Sequence, residues 1–310
     1  MDALDKEADK LIQMAWAPRT LQTYQVGMDK FHNFRIKMKA RNPCGAANAV
    51  EMVRFIASLS LEKKAPTTIA AYVSAVSNWH KTNRWVDPCN DFLVKKALKG
   101  GSKRKSNTTL REPISIILLA KLVKTLHLVC ESKYEVSMIK SAFLLAFFGL
   151  FRIGEMVADT KVRAQRSVML LRDIVIKDET LTITVRFSKT DQTGKSSSIV
   201  VNGQKGNPLC PVEAVKKFVK RRGTEPGPLF LHYNGSFLSR FQFNKILLMA
   251  LSIADPKQAN IQTHSFRIGG ATNAMAKGVP YEKIQEMGRW KSNVAKRYIR
   301  SVDVNIASLS

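Results

Sequence analysis

Long apolar segments are missing from this chain of 310 residues. Its longest apolar stretch, residues 142–151, has the size of a core helix and falls short of the roughly 20 apolar residues that a bilayer-spanning helix needs. The sequence also shows no signal peptide and no lipidation motif. We therefore expect no membrane partner.

Cysteine is scarce and scattered. The four cysteines, Cys44, Cys89, Cys130 and Cys210, form no CxxC pair and lack the ligand spacing of a zinc site. This pattern is typical of reduced thiols in a cytosolic or nuclear compartment.

Several catalytic signatures are missing too. There is no GxxxxGK[ST] phosphate loop, no GxSxG turn, no HExxH motif and no acidic pair at metal-binding spacing. Two-metal nucleases need clustered carboxylates, so the sequence disfavours that class. We expect neither a metal ion nor another cofactor.

Acidic residues are few relative to basic ones. The chain has 24 Asp and Glu against 50 Lys and Arg, which gives a net charge of +26 and a pI near 10.1. The excess is spread over both halves of the chain. A folded chain with this charge indicates a polyanionic partner, and nucleic acid is the first candidate.

The first hundred residues show helical periodicity and no persuasive strand. We predict a frayed helix in residues 1–17 and further helices at 20–36, 47–59, 66–80 and near Phe92. Glycines, serine and consecutive cations in residues 100–108 indicate an exposed linker. This linker could be a solvated tether, a strap along a phosphate backbone or an import signal.

The remainder mixes helices with a small sheet. Residues 167–201 alternate and are rich in Val, Ile and Thr, which predicts three antiparallel strands with turns near 177–180 and 191–195. Two short strands could meet at the Asn234-Gly235 turn. Helices are expected at 114–128, 134–149, 211–222 and 241–253, and the second of them should be the buried centre. The predicted domains are 1–99, a basic linker at 100–112, and 113–310.

Residues 263–300 concentrate side chains that carry chemistry. Thr263 is a good N-cap residue, so His264 and Arg267 should share one face of the helix that follows. Ser292 can cap a last short helix that carries Tyr298.

Arginine grips phosphate with a planar fork of donors, and tyrosine can act as a covalent nucleophile. Arg152 and Glu155 in GLFRIGEM lie just past the buried helix, where an unpaired charge would be costly. With Lys189 in the second hairpin, these residues suggest phosphoryl transfer without a metal.

The order of these residues resembles the tyrosine recombinase (phage integrase-like) family. The resemblance covers most of the chain and rests on Arg152, Glu155, Lys189 in FSKTDQTGK, HSFRIGG with His264 and Arg267, Trp290 in GRW, and Tyr298 in KRYIR. The tryptophan and the YIR sequence are similar to Cre recombinase, whereas the hairpin looks more like recombinases of DIRS-type retroelements and Crypton transposons. The step from Trp290 to Tyr298 is one residue shorter than in many members.

The resemblance implies a mainly α fold with a small antiparallel β-sheet. It also implies a helical core-binding domain, a mixed α+β catalytic domain and a C-shaped clamp on duplex DNA. Tyr298 would form a 3′-phosphotyrosyl bond without metal or ATP, and Arg152 and Arg267 would hold the phosphate. His264 would accept and donate a proton, and Lys189 would protonate the leaving 5′-oxygen.

Trp290 would pack on the site and donate its indole N–H, and Glu155 would orient its neighbours. Lys195 is the alternative to Lys189. The DNA-binding residues that we predict are Lys103, Arg104, Lys105, Lys195, Arg240 and Lys245.

The resemblance further implies a homo-tetramer on paired recombination sites, formed from a monomer or dimer in solution. The residues after Tyr298 could form at most a short docking helix. We expect a nuclear protein if the source is eukaryotic, which the hairpin favours, and otherwise a cytoplasmic protein with the nucleoid. The alternatives are a domesticated DNA-binding protein that no longer exchanges strands and a type IB topoisomerase.

Overall fold

The computed structural model describes residues 3–104, 111–160, 168–186, 196–258, 260–290, 295 and 298–299. The chain forms two compact units, Met1–Thr108 and Thr109–Ser310. In the described part of the chain, no helix is long and apolar enough to cross a membrane.

The described part of the first unit is helical, as predicted. Its elements are α1 (Ala3–Met14), α2 (Pro18–Lys37), α3 (Ala49–Leu61), α4 (Pro66–Thr82) and α5 (Phe92–Arg104). Asn48 and Glu51 form a reciprocal capping box at the start of α3, which satisfies two otherwise unpaired N–H groups. A buried core that includes Phe31, Phe55 and Val76 holds the unit together, whereas α1 buries none of its residues.

The predicted linker is wrong in its first residues, because α5 continues through Gly100 and Gly101 to Arg104. A helical glycine costs about 1 kcal/mol relative to alanine, which is not enough to end a helix whose earlier turns pack on the core. Lys103 lies exposed on this helix. The side chain of Arg104, and Lys105 as a whole, lie outside the described residues.

The second unit is built around a buried helix, as predicted. Its helices are α6 (Ile116–Val129), α7 (Lys133–Phe148), α8 (Ile153–Met156), α9 (Pro211–Arg222), α10 (Arg240–Ala254), α11 (Thr263–Ala276) and α12 (Tyr281–Gly288). Most of α7 is buried, and its N-cap Ser132 accepts the Glu135 N–H. Deeper in the core, the Ser141 hydroxyl donates to the carbonyl of Ala214, which ties α7 to α9.

The predicted antiparallel sheet is confirmed. Its strands β1 (Ile174–Lys177), β2 (Thr180–Val185) and β3 (Ser197–Asn202) pair in the order β1-β2-β3. On β2 the side chains of Leu181, Ile183 and Val185 face the core, because successive residues alternate between faces. Lys189 and Lys195, from the predicted turn between β2 and β3, lie outside the described residues.

Two local predictions are wrong. The residues on either side of the Asn234-Gly235 turn form an isolated antiparallel β-bridge, Leu231 with Phe237, and not the two short strands that we predicted. Thr263 is the first residue of α11, and Gln262 is its N-cap. The reason is that the Gln262 N–H donates to the Ser265 hydroxyl, which places the cap one residue earlier.

Two glycines allow α11 to pack against the core at backbone distance. A Cβ atom on Gly269 would collide with the carbonyl of Ile114, and one on Gly270 would collide with the carbonyl of Phe147. The Ile114 N–H donates to the Ser265 carbonyl at 3.1 Å, so the chain before α6 is fixed to α11. The two glycines of the RIGGA sequence therefore let α11 pack so closely that the Arg267 side chain lies within the core.

We predict that Gly269→Ala destabilises the second unit by roughly 3 kcal/mol, since the methyl group meets backbone that cannot rotate away. Differential scanning calorimetry measures the change. Gly101→Ala is the control, because a Cβ there meets nothing and should stabilise α5 by up to about 1 kcal/mol. Equal, small effects of both substitutions would contradict the close-packing account.

Candidate active site

The side chains from residues 263–300 that the structure describes converge with those of GLFRIGEM in the second unit. The start of α8 brings Arg152 and Glu155, and α11 brings His264 and Arg267. The segment after α12 brings Arg289, Trp290 and Tyr298. The structure therefore brings together six of the seven residues that the motif order singled out, and it adds Arg289.

Arg152 and Glu155 hold each other at the entry to α8. The Arg152 Nη1 donates to Glu155 Oε1 at 2.9 Å, and the Arg152 backbone N–H donates to Oε2 at 3.0 Å. Arg152 is half-buried, and Glu155 is 4% exposed. The carboxylate thus caps the helix and orients the guanidinium at the same time.

Glu155 keeps its negative charge although it is buried. Burial by itself raises the pKa of its carboxyl, but the Arg289 charge, the Arg152 N–H, the Arg152 charge and the Arg267 charge together hold the pKa below its usual value. The site therefore contains an ionised carboxylate among three guanidinium groups.

Arg267 is fully buried and held from both sides. Its Nη1 donates to the carbonyl of Leu150 and its Nη2 to the carbonyl of Gly288. The guanidinium carbon lies 4.4 Å from the centre of the Trp290 ring and 5.5 Å from that of Tyr298. Burial and the charges of its arginine neighbours lower its pKa, yet an arginine remains protonated near neutral pH.

Tyr298 lies beside His264. The Tyr298 hydroxyl oxygen is 3.0 Å from His264 Nε2, so the hydroxyl donates to the imidazole when that nitrogen carries no proton. The backbone N–H of Tyr298 donates to the Ala295 carbonyl in a turn. The predicted last helix, with its cap at Ser292, falls largely outside the described residues.

Trp290 packs as predicted from the resemblance. It is 6% exposed, and its ring centre lies 4.7 Å from that of Tyr298. Its Nε1 and the Nε of Arg267 are buried and have no hydrogen-bond partner within the described portion. Buried donors without acceptors are costly, so both N–H groups are available to an acceptor that the described residues do not supply.

Arg289 is the site residue that sequence reasoning missed. Its Nη2 donates to Glu155 Oε2 at 2.7 Å, and its side chain is 9% exposed. It follows Gly288 at the end of α12, in a left-handed conformation with φ of 52°. Neither periodicity nor motif order predicts a site residue at this position. The available signal was the charge of Arg289 between Gly288 and the predicted site residue Trp290.

Of the predicted DNA-binding residues, the structure describes Arg240 and Lys245 in the second unit, both on α10. Arg240 Nη2 pairs with Asp159 at 3.2 Å, and its guanidinium lies against Gly154, where a Cβ atom would collide with it. Lys245 is exposed on α10. The structure does not bring Lys245 into the cluster, and Lys189 and Lys195 lie outside the described residues.

The arrangement is suited to an anion with several oxygen atoms. Three guanidinium groups face a single carboxylate, and a phenol with an imidazole partner lies at the same place. Cations neutralise charge that develops on non-bridging oxygens, and the phenol can serve as a nucleophile. In the described residues no group of three or more His, Cys, Asp or Glu side chains is placed to hold a metal ion.

The chain resembles a bacterial recombinase in sequence. It is 23% identical over 313 residues to an integrase/recombinase XerD homolog of Selenomonas ruminantium, with 98% of this chain and 87% of that protein covered. No protein-family model matches the chain.

Solved recombinase structures share the fold. XerH site-specific recombinase bound to a palindromic difH substrate has a TM-score of 0.65 and 16% identity, covering 91% of this chain and 76% of XerH. A lambda integrase dimer bound to a COC′ core site has a TM-score of 0.63 and 15% identity, covering 97% of this chain and 79% of that integrase chain. Tn1549 transposon integrase in complex with transposon right-end DNA has a TM-score of 0.62 and 12% identity, covering 97% of this chain and 95% of that integrase chain.

The fold is that of the tyrosine recombinases. The chain thus shares its fold with these recombinases and integrases, and it is similar in sequence to the XerD homolog. The finer likeness to DIRS-type and Crypton recombinases stays a prediction, and the sequence relative is bacterial.

We predict that Glu155→Gln destabilises the protein by about 3 kcal/mol at pH 7, because the buried Arg289 and the half-buried Arg152 lose their counter-charge. The pKa of Glu155 is lower in the folded state, so the stability that its charge contributes is present above the usual value of 4.5 and is lost below it. The difference in the free energy of unfolding between wild type and Glu155→Gln should therefore become smaller as the pH falls. Urea unfolding at a series of pH values measures this difference, and a difference that stays constant to pH 3 would refute the ionised-carboxylate account.

Proposed function

We propose that this protein is a site-specific DNA recombinase that cleaves and rejoins DNA strands through a 3′-phosphotyrosyl intermediate at Tyr298. The observation that carries the proposal is the hydrogen bond between the Tyr298 hydroxyl and His264 in a pocket that also holds three guanidinium groups. The closeness of these groups supports the roles of nucleophile, proton acceptor and phosphate clamp that we propose for them.

In the cleavage step, the Tyr298 oxygen attacks the scissile phosphorus while His264 Nε2 accepts the phenolic proton. The bond from phosphorus to the 5′-oxygen breaks, and the 5′-oxygen leaves as a hydroxyl after it receives a proton. The proposal assigns that proton to Lys189, or to Lys195 as the alternative, on the basis of the resemblance alone. Rejoining reverses these steps with a new 5′-hydroxyl, so it needs no ATP.

The proposed roles of the other residues follow from their contacts. Arg152 and Arg267 would bind the non-bridging oxygens, and the buried N–H of Trp290 would donate to the same phosphate. Glu155 would hold Arg152 in place. This set neutralises a phosphate with side chains alone, which supports chemistry without a metal ion.

Duplex DNA is the proposed partner. The net charge of +26 supports it, as do the DNA complexes of XerH, lambda integrase and Tn1549 integrase. Arg240 and Lys245 on α10, with Lys103, Arg104, Lys105 and Lys195, are the proposed phosphate contacts. We propose a homo-tetramer on paired sites as the working assembly.

A role in moving a genetic element is the proposed biological context, since one structural neighbour is a transposon integrase. The bacterial relative supports a cytoplasmic location with the nucleoid, and the expectation of a nuclear protein has no support from it.

We predict that the wild-type protein forms a covalent adduct with DNA and that Tyr298→Phe forms none, because the phenylalanine ring has no nucleophile. Duplexes selected from a random pool by binding to the protein, then nicked near the centre, trap the adduct for a denaturing gel in EDTA. The control is Tyr281→Phe, whose buried hydroxyl has no partner among the described residues and should be dispensable.

The same assay separates the alternatives. Tight binding without an adduct from wild type would favour a DNA-binding protein that no longer cuts. An adduct without joint complexes of two duplexes would favour a topoisomerase-like activity. An adduct from Tyr298→Phe would overturn the assignment of the nucleophile.

A further inference from the structure

Arg289 joins its own segment to residues 150–155. Besides Glu155, it donates through Nη1 to the Met287 carbonyl at 3.1 Å and through Nη2 to the Leu150 carbonyl at 3.4 Å. Its guanidinium carbon lies 5.0 Å from the centre of the Phe151 ring. This side chain is therefore held by the loop before α8 as well as by its own segment.

Arg289 adopts the left-handed backbone conformation, as Lys39, Lys63 and Arg84 do just after other helices of this chain. The position after a helix often adopts the left-handed conformation, and glycine or asparagine is the usual residue there. An arginine with φ of 52° pays a conformational penalty that glycine would avoid. The conformation by itself therefore assigns no role to Arg289, and its role is argued from what the guanidinium contacts.

That contact completes the environment of Glu155. Oε1 of the carboxylate accepts from Arg152 Nη1, whereas Oε2 accepts from Arg289 Nη2 and from the Arg152 backbone N–H. The charged groups that face Glu155 are Arg152 from its own segment, Arg267 from α11 and Arg289 from the end of α12. Among these charges, Arg289 most strongly opposes the effect of burial on the pKa of Glu155.

We propose that Arg289 is a positioning residue of the phosphate clamp, which fixes one oxygen of Glu155 so that the other holds the guanidinium of Arg152. The inference rests on the proposed function, since the clamp is the one that would bind the scissile phosphate. Arg289 itself acts through Glu155. Without it, the buried carboxylate takes up a proton at a higher pH and weakens its hold on Arg152.

The test variant is Arg289→Asn, because asparagine tolerates the left-handed conformation and removes only the charge and the reach of the side chain. We expect its rate of adduct formation, relative to wild type, to fall about tenfold for each pH unit below the raised pKa of Glu155. Arg289→Lys restores a positive charge and should keep the wild-type pH profile at a reduced rate. The double variant Arg289→Asn with Glu155→Gln should show no acid loss relative to Glu155→Gln.

A ratio of Arg289→Asn to wild type that is independent of pH would overturn the inference, and so would an acid loss that persists in the double variant. Wild type without any adduct on the selected duplexes would instead count against the proposed function. These two failures are therefore distinguishable within one experiment.

A measurement without DNA tests the inference about Arg289 even if wild type forms no adduct. With carbon-13 in the glutamate carboxyls, the signal of Glu155 is identified by its loss in Glu155→Gln and is titrated by NMR. We expect the pKa of this carboxyl to be higher in Arg289→Asn than in wild type and close to wild type in Arg289→Lys. An identical titration in all three proteins would overturn the inference.

Discussion

The burial of the Arg267 guanidinium is the constraint on which the rest of the site depends. A fully buried cation must be met by acceptors, and here the carbonyls of Leu150 and Gly288 meet it from two distant parts of the chain. The same group lies on the rings of Trp290 and Tyr298. Burying this one side chain therefore assembles the start of α8, the end of α12 and the tyrosine around α11.

The charges around Arg267 explain why the pocket is suited to a phosphate. Arg152, Arg267 and Arg289 share a single carboxylate, Glu155, so the group carries excess positive charge in a place with little water. Burial lowers the pKa of Arg267 and of Arg289, and the charges of neighbouring arginines lower it further. A bound phosphate would relieve this repulsion, and more so as negative charge builds up during the reaction.

The order of short motifs was enough to single out six of the residues that the structure brings together, because each of the six has its own sequence context. The sheet and the central helix α7 also follow from periodicity in the sequence. Arg289 could not be predicted in this way, since its partner Glu155 is 134 residues away in the chain. The glycines of α5 show how local composition misleads a prediction. They indicate a linker, but packing of the preceding turns keeps them in the helix.

The most direct test of the account asks whether the arginines act on the charge of the phosphate. Arg152→Ala is assayed on a nicked duplex with an ordinary phosphodiester and on one with a neutral methylphosphonate at the scissile position. We predict no adduct with the phosphodiester and recovery of Tyr298-dependent adduct with the methylphosphonate, since a neutral centre needs no counter-charge. Equal loss on both substrates, or full activity on the phosphodiester, would contradict the claim that this pocket is a phosphate clamp.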